Sequence, residues 1–226
     1  MKRFVPFVLI VLVLAGALGA VWYLTRSAQK SAATPTSSPA ADLSSVAVPG
    51  AEPAHARGPD NAPVVLEEFG DFECPPCGVV YPLFKTLEGE YGPRLQVIFR
   101  EFPLTPPHAH AVAAARVAEA AGLQGKFFEM HDLLYENQKT WSQAFDVRPI
   151  FEDYAQRIGL DVDRFKRDQN SEVVAARIFL DGRRGHSMGV KGTPTVFINN
   201  RELPFEQVTP EGMRAAINKA LSGSGP

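Results

Sequence analysis

Cysteine is nearly absent from this chain of 226 residues, which has only Cys74 and Cys77. A disulfide between thiols three positions apart closes a very small ring, and disulfide stabilisation grows with loop length, so a structural staple is disfavoured. A zinc site usually needs four ligands, and none of the five histidines follows a zinc-finger spacing. An inert pair of core cysteines is equally disfavoured, because Pro75 and Pro76 between them predict a sharp turn near the surface. A redox-active dithiol is therefore the favoured interpretation, and no metal or other cofactor is expected.

An excess of positive charge is also missing. The chain has 23 basic and 25 acidic side chains. Four of the basic residues, Lys2, Arg3, Arg26 and Lys30, precede Ser31, whereas no acidic residue does, so the rest of the chain carries six more acidic than basic side chains. This balance excludes an electrostatic case for binding nucleic acid.

Charged residues are absent from Phe4 to Leu24, a run of 21 residues. At about 1.5 Å per residue, a helix of this length crosses a bilayer core of about 30 Å. Lys2 and Arg3 predict a cytoplasmic N-terminus, so the remainder faces the far side. We therefore expect residues 1–30 to be an uncleaved transmembrane anchor, with a cleaved signal peptide as the alternative. No cysteine lies near the run, which excludes a lipoprotein anchor.

The chain after the anchor divides into a linker and one domain. Residues 31–60 are rich in Ala, Ser, Thr and Pro, with no sustained apolar period, and they predict a disordered, semi-extended tether. Residues 61–222 are sufficient for one domain with its own core. Apolar periodicity predicts the order β-α-β, a helical block at about 105–190, then β-β-α. Strands are predicted at 64–70, 95–102, 193–198 and 201–204, and helices at 79–91, 108–121, 126–138, 149–158, 161–170, 171–188 and 210–221. Asn199 and Asn200 predict a hairpin turn between the last two strands, and Asp161 and Ser171 are predicted helix N-caps.

Four segments of this domain are similar to one protein family: Glu68–Cys77 (EFGDFECPPC), Phe99–Leu104 (FREFPL), Gly125–Asp132 (GKFFEMHD) and Gly192–Thr195 (GTPT). Over about Pro59 to Leu221 the chain resembles the DsbA-like thiol oxidoreductases of bacterial envelopes. The resemblance implies an α/β thioredoxin fold with an inserted helical subdomain. It also implies that Cys74 attacks or is attacked by substrate, and that Cys77 resolves the mixed disulfide.

The dithiol is expected at the start of a helix, with the sulfur of Cys74 facing solvent and Cys77 one turn further in. The helix dipole and free N–H groups there stabilise a thiolate, the reactive form. Pro75 and Pro76 have no N–H, so a Cys74 thiolate accepts backbone hydrogen bonds only from Cys77 onward. DsbA has a histidine in this dipeptide. We therefore expect the pKa of Cys74 to exceed the value of about 3.5 found in DsbA, and the protein to be a weaker oxidant.

Other site residues follow from the resemblance and from their positions. The Thr193–Pro194 bond is expected to be cis, lying against the dithiol, and to expose the Thr193 backbone for pairing with an extended substrate. Glu68 is a candidate buried proton acceptor for Cys77, or alternatively a solvent-facing carboxylate; its neighbour Glu67 suggests that one of the two faces solvent. Phe72 contributes either to a substrate-binding collar, together with Pro75 and Pro76, or to the core.

These features predict a membrane-tethered thiol:disulfide oxidoreductase whose catalytic domain lies outside the cytoplasm and donates its disulfide to exported proteins. A quinone-linked membrane partner of the DsbB type is implied by the resemblance alone. A reductase or isomerase of the same fold is the second interpretation, and a non-catalytic chaperone-like assembly factor is the third.

Overall fold

The computed structural model describes residues 48–223, which form a mixed sheet, a helical insert and a C-terminal helix. The strands are β1 (His55–Arg57), β2 (Val64–Gly70), β3 (Leu95–Glu101), β4 (Thr195–Ile198) and β5 (Arg201–Leu203). The helices are α1 (Pro75–Tyr91), α2 (Ala111–Gly122), α3 (Phe127–Glu136), α4 (Gln138–Trp141), α5 (Arg148–Arg157), α6 (Val162–Asp168), α7 (Glu172–Ser187) and α8 (Pro210–Leu221). Short 3₁₀ turns occupy Gly92–Arg94 and Phe205–Gln207.

The sheet has the strand order β1-β3-β2-β4-β5. Strands β2 and β3 are parallel, since α1 connects them, and the remaining pairs are antiparallel. The β4–β5 hairpin turns at Asn199 and Asn200, whose φ angles are 48° and 63°. The predicted hairpin is thus confirmed, because asparagine tolerates positive φ.

Helices cover both faces of the sheet. Leu66 of β2 packs in one apolar cluster with Phe84 of α1 and Met213 of α8. Phe69 lies in a separate cluster with Phe102 and belongs to the opposite face of β2, since successive strand residues alternate in direction. A third cluster joins the helical insert to both cysteines. The dithiol therefore sits where the sheet and the insert meet.

The structure corrects the start of the domain. The sequence interpretation continued the disordered linker to residue 60, but β1 pairs with β3 and Ala51 is buried. Ala51 donates its N–H to Asp181 at 2.7 Å, and its carbonyl accepts from Arg100 at 2.7 Å. Order here comes from backbone pairing and buried charged groups, which a search for apolar periodicity does not detect.

The predicted helical insert is confirmed, with α2 to α7 lying between residues 111 and 187. Asp161 and Ser171 cap α6 and α7 through side-chain hydrogen bonds, as predicted. The first helix begins at Pro75, four residues before the predicted start, because prolines fit the first turn of a helix. The short helix α4 was missed; it follows a break at Asn137 that splits the predicted helix 126–138.

The predicted anchor, residues 1–30, and most of the predicted linker lie outside the described residues. Within residues 48–223, none of the helices has both the length and the apolar character that crossing a membrane requires.

Candidate active site

The dithiol occupies the N-terminus of α1. Cys74 is the N-cap residue, with φ −65° and ψ 119°, and no side chain caps the helix there. Pro75 and Pro76, both exposed, occupy the first helical positions, where a missing N–H costs no hydrogen bond. Cys77 follows within the same turn and is fully buried. The first backbone N–H group that this helix offers is therefore that of Cys77.

Cys74 lies against the Thr193–Pro194 segment. Its thiol is 3.2 Å from the Thr193 carbonyl oxygen and donates to it. The Thr193–Pro194 bond is cis, as the sequence predicted. Only 4% of Cys74 is exposed, so the expectation of a sulfur facing solvent was wrong. The reason is that the Thr193 segment, 119 positions away in sequence, packs over the sulfur.

The two thiols have opposite acidities. A hydrogen bond from the Cys77 thiol lowers the pKa of Cys74 to about 6, against the effect of burial and with help from the Thr193 side chain and the Cys77 N–H. Burial, together with that same hydrogen bond, raises the pKa of Cys77 well above its usual range. Cys74 is therefore the thiolate at neutral pH, and Cys77 holds the proton. A pKa of about 6 for Cys74 lies above the value of about 3.5 in DsbA, and the role given to Pro75 and Pro76 in this difference stays a prediction.

Glu68 lies on β2 below the dithiol, and only 3% of it is exposed. Burial raises the pKa of its carboxyl to about 8, and the charge on Cys74 adds to this effect. Its Oε1 has no hydrogen-bond partner among the described residues. Glu68 also contributes to the raised pKa of Cys77. Of the two alternatives that the sequence left open for Glu68, the structure selects the buried one.

Glu67 is buried as well, which contradicts the expectation that one of the two glutamates faces solvent. It points to the opposite face of the sheet, where α7 covers it. Both of its oxygens accept from Arg184 at 2.7 Å, and Oε1 also accepts from Arg100 at 2.8 Å. Burial raises the pKa of Glu67, but these hydrogen bonds outweigh it and leave the pKa lowered. The two adjacent carboxyls thus differ in charge, because Glu67 has arginine partners on its face of the sheet, whereas burial dominates the surroundings of Glu68 on the other face.

Phe72 belongs to the core, so its assignment to a substrate-binding collar is corrected. Only 1% of it is exposed. Its ring stacks on Phe99 at 5.0 Å between centroids and contacts His131 and Tyr135. A side chain this enclosed offers no surface to a substrate.

Sequence reasoning missed Gln138, which holds the loop carrying the dithiol. Its side-chain amide donates to the carbonyls of Phe72 and Cys74, each at 2.8 Å. Gly78 leaves room for this amide, since a Cβ there would lie 2.4 Å from Gln138 Oε1. No pattern in the sequence distinguishes Gln138 from an ordinary polar residue at a helix end.

Asp71 was also missed as an organising residue, although it lies inside the motif used for recognition. Its carboxylate accepts from the N–H groups of Glu73 at 2.8 Å and Leu104 at 2.9 Å. It also bonds the ring of His108 at 2.7 Å. Asp71 therefore ties the loop after β3 to the start of the dithiol helix.

A family model described as Thioredoxin matches residues 51–219. The chain belongs to the thioredoxin family. A thioredoxin-family protein that keeps both cysteines at the start of α1, one acidic and one buried, is a thiol:disulfide oxidoreductase. The match begins at Ala51, in agreement with the packed segment that precedes β2.

Solved structures place this thioredoxin-family protein among DsbA-like folds. BdbD from Bacillus subtilis, in its oxidised form, is 22% identical, with a TM-score of 0.69 over 78% of this chain and 97% of that one. A thioredoxin-like oxidoreductase from Silicibacter pomeroyi is 25% identical, with a TM-score of 0.63 over 75% and 92% of the two chains. The thiol-disulfide exchange protein α-DsbA2 from Wolbachia pipientis is 20% identical, with a TM-score of 0.61 over 74% and 86%.

Curated relatives match by sequence over the same domain. A protein named Na⁺/H⁺ antiporter NhaA 1 from Salinispora arenicola is 40% identical over 171 residues, covering 75% of this chain and 25% of that protein. A protein named NhaA 3 from Salinispora tropica is 39% identical over 172 residues, with the same coverage. The chain thus spans about a quarter of the length of these relatives.

Proposed function

We propose that this protein donates the Cys74–Cys77 disulfide to reduced cysteines of exported proteins. The observation that carries the proposal is the split acidity of the pair. An acidic Cys74 is a good leaving group, because a thiol of lower pKa leaves faster, and it stabilises the reduced form of the donor. Both effects favour release of an oxidised substrate.

The exchange runs in two steps. A substrate thiolate attacks Cys74 Sγ, the Cys74–Cys77 bond breaks, and the Cys77 thiolate takes a proton from the carboxyl of Glu68. A second substrate thiolate then attacks the substrate sulfur of the mixed disulfide, and Cys74 leaves as a thiolate. Two electrons pass from the substrate to the pair, and the substrate gains one disulfide. The raised pKa of Glu68, about 8, supports its role as a proton carrier at neutral pH.

The substrate chain is proposed to lie along the Thr193–Pro194 segment and over the exposed prolines 75 and 76. The Thr193 carbonyl contacts Cys74 and is available to an extended backbone bonded to that sulfur. The buried Thr193 hydroxyl has no other hydrogen-bond partner among the described residues, so it can donate to the Cys74 thiolate when substrate leaves.

The setting is proposed to be the outer face of a membrane. Support comes from the uncharged run near the N-terminus and from relatives named as antiporters, proteins that work in membranes, which contain a matching segment. Reoxidation requires an electron acceptor, and a quinone-linked membrane protein of the DsbB type would supply it. The same domain could run the exchange in the opposite direction as a reductase if a donor were present.

Trapping tests the proposal. The oxidised protein is mixed with a reduced, unfolded two-cysteine polypeptide, and substrate disulfides are counted in three forms: wild type, Cys74→Ser and Cys77→Ser. We expect oxidation by the wild type and none with Cys74→Ser. When Cys77→Ser is first activated as a mixed disulfide with glutathione and then given a one-cysteine version of the polypeptide, we expect a mixed disulfide between the two proteins to accumulate, because no second substrate thiol can resolve it. Activity in cells that survives Cys74→Ser would instead favour the chaperone-like assembly factor.

A further inference from the structure

Besides Thr193, four buried side chains have oxygens without a hydrogen-bond partner among the described residues. They are Glu68 (Oε1), Tyr135 (Oη), Glu101 (Oε1 and Oε2) and Glu119 (Oε1). None is more than 5% exposed. Buried polar atoms are nearly always hydrogen-bonded, to protein or to ordered water, so a group of unpartnered ones calls for an explanation. We refer to these four residues, in this order, as the buried polar series.

The first three members are neighbours on one face of the sheet. Glu68 and Gly70 are two positions apart on β2 and therefore lie on the same face of the sheet. Gly70 is the cross-strand partner of Glu101 on β3. Gly70 has no side chain, and a Cβ there would lie 3.0 Å from Tyr135 Oη. The hydroxyl of Tyr135 therefore approaches Gly70 beside the ring of Phe99, whose nearest atoms would lie 2.4 and 2.8 Å from the same Cβ. Electrostatics agree, since burial raises the pKa of Tyr135 and the charges of Cys77, Glu68 and Glu101 raise it further.

The fourth member connects Glu101 to the surface. Burial raises the pKa of Glu101 well above its usual range, and Glu119 of α2 is the nearby charge that contributes most. The other oxygen of Glu119 accepts from Arg177 Nε and bonds His55 Nε2 at 2.9 Å. The side chains of His55 and Arg177 are 15% and 14% exposed. The series thus runs from below Cys77 to a partly exposed pair on the far side of β3.

We propose that Tyr135, Glu101 and Glu119 form a proton path that links Glu68 to solvent at His55 and Arg177. The inference rests on the proposed function, in which Glu68 gives a proton to the Cys77 thiolate. Glu68 is then replenished by Tyr135, Tyr135 by Glu101, and Glu101 from Glu119 and the His55 end, with bridging water where two members do not touch. One proton enters from solvent for each disulfide reduced, and no electron moves along the path.

The charged surroundings fit a path used by protons rather than by ions. Glu101 is faced by Glu119 from α2, by Asp181 and Arg177 from α7, and by Asp71 from the loop before α1. Tyr135 is faced by Cys77, Glu68, Glu101 and Asp71, with the His131 ring 5.0 Å away. Carboxyls predominate in this list, and crowding of carboxyls keeps some of them protonated and able to pass a proton on.

The rate at which Glu68 exchanges its proton with solvent tests the path. The carboxyl ¹³C resonance of Glu68 is followed in the reduced full-length protein near its titration midpoint, where line shape reports the exchange rate. We expect Glu101→Gln and Tyr135→Phe each to slow exchange by about a hundredfold, the lower end of what a positioned proton-transfer group contributes. The midpoint itself should move little. A small diffusible buffer whose pKa lies nearer the midpoint, such as imidazole, should restore part of the rate.

Matched controls separate a proton path from a packing role. Tyr154→Phe removes the hydroxyl of a buried tyrosine in α5, and Glu129→Gln removes an exposed carboxyl in α3; both should leave exchange unchanged. If Glu101→Gln fails to fold, Tyr135→Phe decides. Unchanged exchange in a folded Tyr135→Phe protein would overturn the proposal and mean that protons reach Glu68 past the dithiol. The measurement needs no turnover, so a failure of disulfide donation would be seen separately, in the trapping experiment.

Discussion

Replacing Glu68 with glutamine should remove from the reduced protein a destabilising contribution that increases with pH. Burial raises the pKa of this carboxyl from about 4.5 to about 8 in the folded protein. Below pH 4.5 the carboxyl is protonated in both the folded and the unfolded state. Between those two values the unfolded chain loses the proton while the folded protein keeps it. The free energy of unfolding of the wild type therefore falls as pH rises through this window, and it stops falling above about pH 8.

The size of the effect follows from the shift. Each pH unit in the window costs the wild type about 1.4 kcal/mol, so the loss reaches about 3 kcal/mol at pH 7. Glutamine is neutral at every pH and carries no such term. Whatever fixed cost the buried amide has, it is the same at both ends of the window. The difference between Glu68→Gln and wild type should therefore grow by about 3 kcal/mol between pH 4.5 and pH 7.

Urea unfolding of the reduced proteins at several pH values measures this difference. Glu67→Gln is the matched control, since it changes the adjacent residue on the other face of the sheet. Glu67 is held ionised by Arg184 and Arg100, so its replacement removes the carboxylate that pairs with Arg184 and one of the carboxylates that pair with buried Arg100. We expect it to destabilise the protein at neutral pH by about 3 to 5 kcal/mol. A pH-independent difference between Glu68→Gln and wild type would refute the reasoning.

Two other predictions test the dithiol and the domain boundary. Cys77→Ala should raise the pKa of Cys74 from about 6 toward its usual value near 9, because the Cys77 thiol is the largest contributor to the lowered pKa; thiolate absorbance in the ultraviolet measures this, and an unchanged midpoint would contradict it. A chain that begins at Gly58 loses β1 and the Ala51 contacts with buried charges. Its free energy of unfolding should be about 3 kcal/mol lower than that of a chain that begins at Val48, which urea unfolding would show as a lower midpoint. Equal midpoints would mean that residues 48–57 add no stability and belong to the linker, as the sequence predicted.

The fold was predictable because its elements are marked locally. Val64 to Gly70 is a β-rich run, the asparagine pair marks a hairpin turn, and Asp161 and Ser171 mark helix starts. The strand β1 was not predictable in this way. It has three residues, and its order depends on β3 and on a buried network that includes Arg100 and Asp181, far along the chain.

Only those parts of the site that short sequence motifs mark were predictable. The dithiol and the cis bond at Thr193 came from short motifs. The outcome for the two glutamates did not, since burial of Glu67 depends on Arg184 from a helix more than a hundred residues later. The roles of Gln138 and Tyr135 depend on where the fold places their side-chain polar atoms, and the periodicity of the sequence does not predict those positions. Phe72 was ambiguous because collar and core residues are equally apolar in sequence.

The equilibrium reduction potential of the Cys74–Cys77 couple against glutathione tests the central claim most directly. A disulfide donor whose reactive thiol has a pKa of about 6 should have a potential between that of DsbA, about −120 mV, and about −220 mV, the least reducing value of the cytosolic glutathione poise. A potential near −270 mV, the value for thioredoxin, would contradict disulfide donation and identify a reductase. A potential near −120 mV would agree with disulfide donation but would contradict the prediction that Pro75 and Pro76 make the protein a weaker oxidant than DsbA.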